Sequence, residues 1–338
     1  MHYILCKDDK WTEVLKNEID ADFKIKCSAV EGFPLIKIQE DIDLKNEYIA
    51  FSTTALINAN VIPDNSISKQ VTEIEKVLYP QITGVSLVNC HVYALTQKYG
   101  ILETGRADIV KGKIITALKK KGVSYLRKGF DRSIPFLQIL ILPDRSIVLS
   151  YITKEELNLF HSLISPFVGG FNNVEEDKKA PSRAFKKIVE AQEVMGKSIV
   201  EGEVLVDLGA CPGGWTYIAR KNGAKVTALD RSPLDIELMQ DESVTFLKQD
   251  AFKYEVSEVV DWVVSDIICI PERILELIDY WVVGKHCKNF IFTIKFQGQK
   301  DYGILKRFKN LAKETEYKVI LKQLNANKNE VTIMGSIL

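Results

Sequence analysis

Nine residues, DLGACPGGW from Asp207 to Trp215, constrain this chain more than any others. They follow the apolar run Val204-Leu205-Val206 and precede a helix-like stretch, so they read as a strand, a glycine turn and a helix start. Gly209, Gly213 and Gly214 lack a Cβ atom, which permits positive φ where strand gives way to helix and lets backbone approach a bound ligand. The spacing is neither G-x-G-x-x-G nor G-x-x-x-x-G-K-[ST], so the dinucleotide fingerprint and the P-loop are both missing. A second strand, Lys225 to Leu229, ends in Asp230, where a carboxylate is placed to accept both hydroxyls of a ribose. A third, Val244 to Leu247, leads to Asp250, Ala251 and Phe252, a carboxylate and a ring able to hold an adenine. The expected cofactor-binding set is therefore Asp207, Gly209, Ala210, Cys211, Pro212, Gly213, Gly214, Trp215, Asp230, Asp250 and Ala251.

With 338 residues the chain is too long for one ordinary domain, and two or three are expected. Its 45 basic and 45 acidic side chains balance, so no global positive field announces nucleic acid and local patches must carry any such role. Six cysteines without a C-x-x-C pair argue against a disulfide scaffold or a zinc site and fit a reducing cytoplasm. Histidines 2, 91, 161 and 286 lack ligand spacing, and no metal is expected. Charged residues from Lys7 to Lys10 interrupt the short apolar start, and no apolar run approaches membrane-spanning length, so a soluble cytoplasmic protein without membrane contact is expected.

Three parts follow along the chain. Residues 1–82 show short β-like runs at His2–Leu5, Pro34–Ile38 and Tyr48–Phe51 around the amphipathic stretch Trp11–Ile19, then a helix from Ser68 to Leu78, and read as a small α+β domain. Residues 83–168 read as a second, with a strand over Ser86–Tyr93, a helix over Ala107–Lys121, and strands Pro135–Leu142 and Ser146–Tyr151 joined by a turn at Pro143–Arg145. Between Arg106 and Arg145 there are 10 basic and 3 acidic residues, a local excess of +7. Residues 169–180 form a polar linker, and 181–338 alternates strands with helices, which argues a doubly wound, mostly parallel Rossmann-like α/β sheet.

Four further positions carry chemistry. Val263–Asp266 is a strand ending in Asp266, and the carboxyl ends of strands line the ligand crevice of open α/β sheets, so Asp266 joins the cofactor-facing set. Asn289–Lys295 ends in Lys295 in the same way, and partial desolvation of its ammonium would favour the neutral amine, the form that acts as a base. Ser182-Arg-Ala-Phe-Lys-Lys187 opens a helix that brings Lys187 toward the same face, and Glu330 begins the last strand, Val331–Met334. A glycine turn of this spacing followed by Asp230 and Asp250 leaves the nucleoside pocket of a methyltransferase as the reading, with S-adenosyl-L-methionine as cofactor.

SRAFKK, DLGACPGGW, VVSD, IKFQG and NEVTIM stand here in the order and spacing of the FtsJ-type RNA ribose 2′-O-methyltransferases, which this chain resembles. The resemblance is closest to the RlmM subgroup, which methylates a cytidine ribose of 23S ribosomal RNA. It implies a catalytic set of Lys187, Asp266, Lys295 and Glu330, with Lys186 adjoining the first lysine as the alternative register. IKFQG departs from the loop usual in that subgroup. The resemblance also implies a ferredoxin-like domain at 1–82 and a THUMP-like RNA-binding domain at 83–168, contacting phosphates through Lys111, Lys119, Lys120 and Lys121.

A ribose 2′-hydroxyl must lose its proton as it attacks a sulfonium methyl, so a positioned base is required, and Lys295 is the candidate. Asp266 would orient that ammonium or steer the sulfonium, while Lys187 and Glu330 would position the acceptor ribose. Base methylation is disfavoured, because Ser265-Asp-Ile-Ile268 stands where Asn/Asp-Pro-Pro-aromatic is expected of such enzymes. Cys211 and Cys269 read as small hydrophobes rather than nucleophiles. The expected partner is RNA, 23S ribosomal RNA above others, bound by a monomer. A small-molecule O-methyltransferase and a non-catalytic ribosome assembly factor retaining the cofactor pocket are the alternatives.

Overall fold

The computed structural model describes residues 1–96, 100–102, 105–298 and 301–337. Its contacts divide the chain into two units, Met1–Asn172 and Asn173–Leu338, a division that falls inside the stretch 169–180.

In the first unit, β1 (His2–Leu5), α1 (Thr12–Phe23), β2 (Ser28–Ala29), β3 (Leu35–Ile38) and β4 (Thr54–Leu56) build an antiparallel sheet of order β2-β3-β1-β4. The expected strand at Tyr48–Phe51 is not one. Those residues are buried, but the Glu18 carboxylate of α1 accepts the Ala50 and Phe51 amides at 2.7 and 3.0 Å, and Thr54–Leu56 pairs with β1 instead. Apolar character alone could not tell a buried turn from a strand.

The second sheet contains β5 (Asn60–Ile62), β6 (Leu87–Thr96), β7 (Gly100–Leu102), β9 (Phe136–Ile141) and β10 (Ile147–Ile152) in the order β5-β10-β9-β6-β7, with β8 (Ser124–Tyr125) beside β6. Helices α2 (Ile67–Leu78) and α3 (Gly105–Lys120) cover it, and α4 (Lys154–Leu159) follows under a Thr153–Glu156 capping box. The expected division at residue 82 does not separate the two sheets. β5 pairs with β10, and the apolar stripe of α2 (Val71, Ile74, Leu78) shares one core with Ile114 and Leu118 of α3. The sheets also share side chains, since Tyr3, Leu5 and Leu56 pack with Tyr93, Leu140 and Val148.

The second unit holds α5 (Phe185–Met195), β11 (Val204–Leu208), α6 (Gly214–Lys221), β12 (Lys225–Asp230), α7 (Ile236–Met239), β13 (Val244–Lys248), β14 (Val260–Ser265), α8 (Pro271–Ile278), β15 (Cys287–Lys295), α9 (Leu305–Glu314), β16 (Tyr317–Lys322) and β17 (Glu330–Ile337). The sheet order is β13-β12-β11-β14-β15-β17-β16. The first five strands are parallel, and β17 enters antiparallel between β15 and β16. Strand order reverses direction between β11 and β14, the switch point where ligand crevices form at strand carboxyl ends in such sheets. Buried Trp262, Phe290 and Phe292 fill the centre of this sheet.

Candidate active site

The turn after β11 is tied to β12, because the Gly209 and Ala210 amides donate to the Leu229 carbonyl at 2.8 and 3.0 Å. Gly209 and Gly213 have φ of 77° and 112°, which L side chains rarely adopt. A Cβ at Gly209 would lie 2.1 Å from Ile267, and one at Gly213 would lie 2.3 Å from Leu238. The positive φ expected of this turn is present at both, and close packing of protein side chains is a second reason, not visible in the sequence, for the missing Cβ.

Several of the expected cofactor contacts are buried. Asp207 is 2% exposed and accepts the Thr216 hydroxyl at 2.7 Å. Burial pushes its carboxyl up to about 7, against the Thr216 hydrogen bond and with help from Asp266 and Asp230. Trp215 is buried, and its indole N–H donates to the Ala184 carbonyl at 2.9 Å, locking α6 to the start of α5. Ala251 is buried as well. Pro212 and Cys211 are exposed in the turn, Ala210 is buried in it, and Gly214 opens α6.

Asp230 and Asp250 do reach the carboxyl edge of the sheet. Asp230 accepts the Cys211 amide at 3.0 Å and the Ser232 amide at 2.9 Å, so one carboxylate braces the turn while each oxygen keeps a lone pair. Asp250 accepts the Phe252 amide at 3.1 Å and stands 3.9 Å from Arg231. One face of the Phe252 ring, expected to hold a base, is covered by the Arg273 guanidinium at 3.9 Å.

Lys187, Asp266, Lys295 and Glu330 converge at the same edge. β14 and β15 run parallel, so their carboxyl ends lie together, and antiparallel β17 places Glu330 directly opposite Lys295. The Lys187 Nζ lies 3.0 and 3.2 Å from the two oxygens of Asp266 and 2.7 Å from Glu330 Oε2. The Lys295 Nζ lies 3.0 Å from Asp266 Oδ1 and also donates to the Asp266 main-chain carbonyl. All four side chains are 10–17% exposed. Lys295, expected to be partly desolvated, is 12% exposed and is also paired with a carboxylate. Lys186 turns away to the Val174 carbonyl and Glu176, each at 2.8 Å, so Lys187 is the lysine of this cluster. Two cations and two anions, mutually paired at a strand edge, can hold an acceptor hydroxyl, pass a proton and face a positive charge.

A buried pair that was not among the expected site residues frames the cluster. Glu190, one turn after Lys187, and Asn327, three residues before Glu330, are 2% and 1% exposed. Only the spacing of Glu190 from Lys187 on one helix face signalled the first; nothing signalled the second.

On the first unit the four expected RNA-contacting lysines do not share a face. Lys111 is half-buried, near enough to His91 to add to the burial that lowers that imidazole to about 4. Lys120 lies nine residues on, two and a half helical turns, and is exposed with Lys119 and Lys121. The Lys121 ammonium sits 4.5 Å from the Tyr79 ring centre. Among the described residues no helix is long and apolar enough to cross a membrane, and no group of three or more His, Cys, Asp or Glu side chains could hold a metal.

Over residues 180–335 the chain matches the family model of FtsJ-like methyltransferases. It is 33% identical over 254 residues to a ribosomal RNA large subunit methyltransferase M of Shewanella oneidensis, covering 70% of each chain. The protein of that name from Saccharophagus degradans is 30% identical over 250 residues, 68% of this chain and 70% of its own. A shorter match to the one from Shewanella putrefaciens is 34% identical over 183 residues, and there the chain spans about half the length of its relative, 51%.

Proposed function

Because this chain belongs to the ribosomal RNA large subunit methyltransferase M family, we propose that it transfers a methyl group from S-adenosyl-L-methionine to a ribose 2′-hydroxyl of large-subunit ribosomal RNA. The observation that carries this reading is the Lys187, Asp266, Lys295 and Glu330 cluster at the carboxyl edge of the sheet, beside the glycine turn. The donor set fits the cofactor: Asp230 ends β12, Asp250 follows the neighbouring β13, and both retain acceptor capacity for ribose hydroxyls and an adenine amino group.

When bound, S-adenosyl-L-methionine supplies an electrophilic methyl on a sulfonium. Asp266 offers that positive charge a carboxylate, already neutralised in part by two ammonium groups, so it orients without holding too tightly. Lys187 and Glu330 would hold the ribose, and Lys295 would receive the 2′-hydroxyl proton as the oxygen takes the methyl. An ammonium must first give its own proton to water before it can accept another. Atoms balance as 2′-O-methyl ribose, S-adenosylhomocysteine and one proton released.

The first unit supplies the RNA-binding surface in this proposal, as a ferredoxin-like and THUMP-like pair sharing one core, with Lys119, Lys120 and Lys121 exposed at the end of α3. We place the reaction in the cytoplasm, carried out by a monomer. Incubation of the full chain with methyl-labelled cofactor and unmodified 23S ribosomal RNA tests the proposal. A 2′-O-methyl blocks alkaline cleavage of the adjoining phosphodiester, so label should appear in an alkali-resistant dinucleotide. Label in a nucleobase, or on no RNA at all, would contradict it and favour a base methylase or an assembly factor.

A further inference from the structure

Glu330 does not hold its place against Lys187 unaided. Asn327 is 1% exposed, and its Oδ1 accepts the Leu324 amide at 2.7 Å and the Thr332 hydroxyl at 3.1 Å. The Leu324 N–H can only donate, which identifies that atom as the oxygen, so the other amide atom is nitrogen, and it donates to Glu330 Oε2 at 3.3 Å. That carboxylate oxygen is the one paired with Lys187 at 2.7 Å. One side chain therefore braces the β16–β17 connection with its oxygen and fixes the carboxylate with its nitrogen.

The same connection is fastened to α5. Glu190 Oε1 accepts the Asn325 amide at 2.8 Å and its side-chain N–H at 2.9 Å, and Oε2 accepts the Ala326 amide at 3.0 Å. Lys187 and Glu190 lie three residues apart, on one face of the helix. The helix that carries the ammonium thus grips the loop leading to the carboxylate. A buried carboxylate satisfied by several N–H groups is a rigid joint, because breaking it strands a buried charge.

We propose that Asn327 and Glu190 are positioning residues of this site: Asn327 sets where the Glu330 carboxylate meets the Lys187 ammonium, and Glu190 holds the Asn327 loop on the helix that carries Lys187. The inference rests on the reading of the four-residue cluster as catalytic. Among the described residues, Glu330 is paired with Lys187 from α5, Lys295 of β15 stands opposite it in the strand pair, and Asp266 is paired with both lysines.

Asn327→Asp separates the two halves of the side chain. It keeps the oxygen that braces Leu324 and Thr332 and replaces the donor to Glu330 by a second carboxylate oxygen. The full-length variant should retain cofactor affinity by calorimetry, while single-turnover methyl transfer to 23S ribosomal RNA falls about ten- to hundredfold, the worth of a hydrogen bond to a charged group. The deficit relative to the parent should shrink as pH falls, because two facing carboxylates can then share a proton. Glu190→Gln, which leaves the loop gripped on one side, should slow the reaction with cofactor affinity kept, and it carries the test if Asn327→Asp does not fold. Glu330→Gln serves as the reference. Parent-like rates in both positioning variants beside a slow Glu330→Gln would overturn this inference alone; a parent-like Glu330→Gln would overturn the catalytic reading beneath it. A rate loss that tracks lost cofactor affinity at every pH would also overturn the inference, as a merely structural role would give that result.

Discussion

Asp207 shows how a residue can be legible by position and misread by role. It sits where the sequence places a ligand contact, yet its carboxyl is enclosed with Thr216 and pushed up to about 7 by burial. Its folded-state value exceeds that of the unfolded chain, so the folded protein holds the proton more tightly. The contribution to stability is then full below the ordinary carboxylate value and is lost as pH rises toward about 7, by at most about 1.4 kcal/mol per unit. Asp207→Asn has no such proton to lose. Urea unfolding should therefore show the variant gaining on the parent between about pH 4 and about pH 7; a constant difference across that window would contradict an enclosed, proton-holding carboxyl. For the glycines, backbone conformation was legible and the packed neighbours were not. Their positive φ at Gly209 and Gly213 followed from the turn, but the atoms crowding them, Ile267 and Leu238, come from segments 58 and 25 residues away, which no local pattern reports. Lys187 against Lys186 was likewise settled by the direction of the helix, not by the motif.

Elements were most legible where periodicity and burial agree. The five parallel strands of the second unit lead at their carboxyl ends to a glycine turn, an acid or, in β15, Lys295, and each lies within a few residues of its expected place. Antiparallel β17 brings Glu330 opposite Lys295, a pairing across 35 residues that depends on strand direction and is invisible to composition. Tyr48–Phe51 failed for the opposite reason, since its buried run is held by Glu18 of a helix 32 residues earlier. The packing of α5 on α6 is the element-scale feature with a direct consequence for the site, because α5 carries Lys187. Trp215→Phe keeps a ring in the same space and removes the N–H that binds the Ala184 carbonyl. It should cost about 1–3 kcal/mol in urea unfolding from the missing bond and the smaller ring, and slow methyl transfer as α5 shifts. Unchanged stability and rate would mean that α5 is held without this bond.

At the scale of the whole molecule, the chain joins a two-sheet unit to a seven-stranded α/β unit, and the proposed function draws on both. The charge balance of 45 against 45 hides the exposed lysines that end α3. Replacing Lys119, Lys120 and Lys121 together by alanine should weaken binding to 23S ribosomal RNA and lower the salt dependence by about 0.7–0.9 for each phosphate no longer neutralised, with cofactor affinity unchanged. An unaltered salt slope in filter binding would remove this helix from the RNA surface. The central claim is that the Lys187, Asp266, Lys295 and Glu330 cluster performs methyl transfer to a ribose hydroxyl. It is tested most directly by single-turnover transfer of labelled methyl to 23S ribosomal RNA by full-length Lys295→Ala. Cofactor affinity should hold, since Asp230, Asp250 and the glycine turn are untouched, while the rate into the alkali-resistant product falls about 10²–10⁴-fold. A rate within a few fold of the parent would contradict the account.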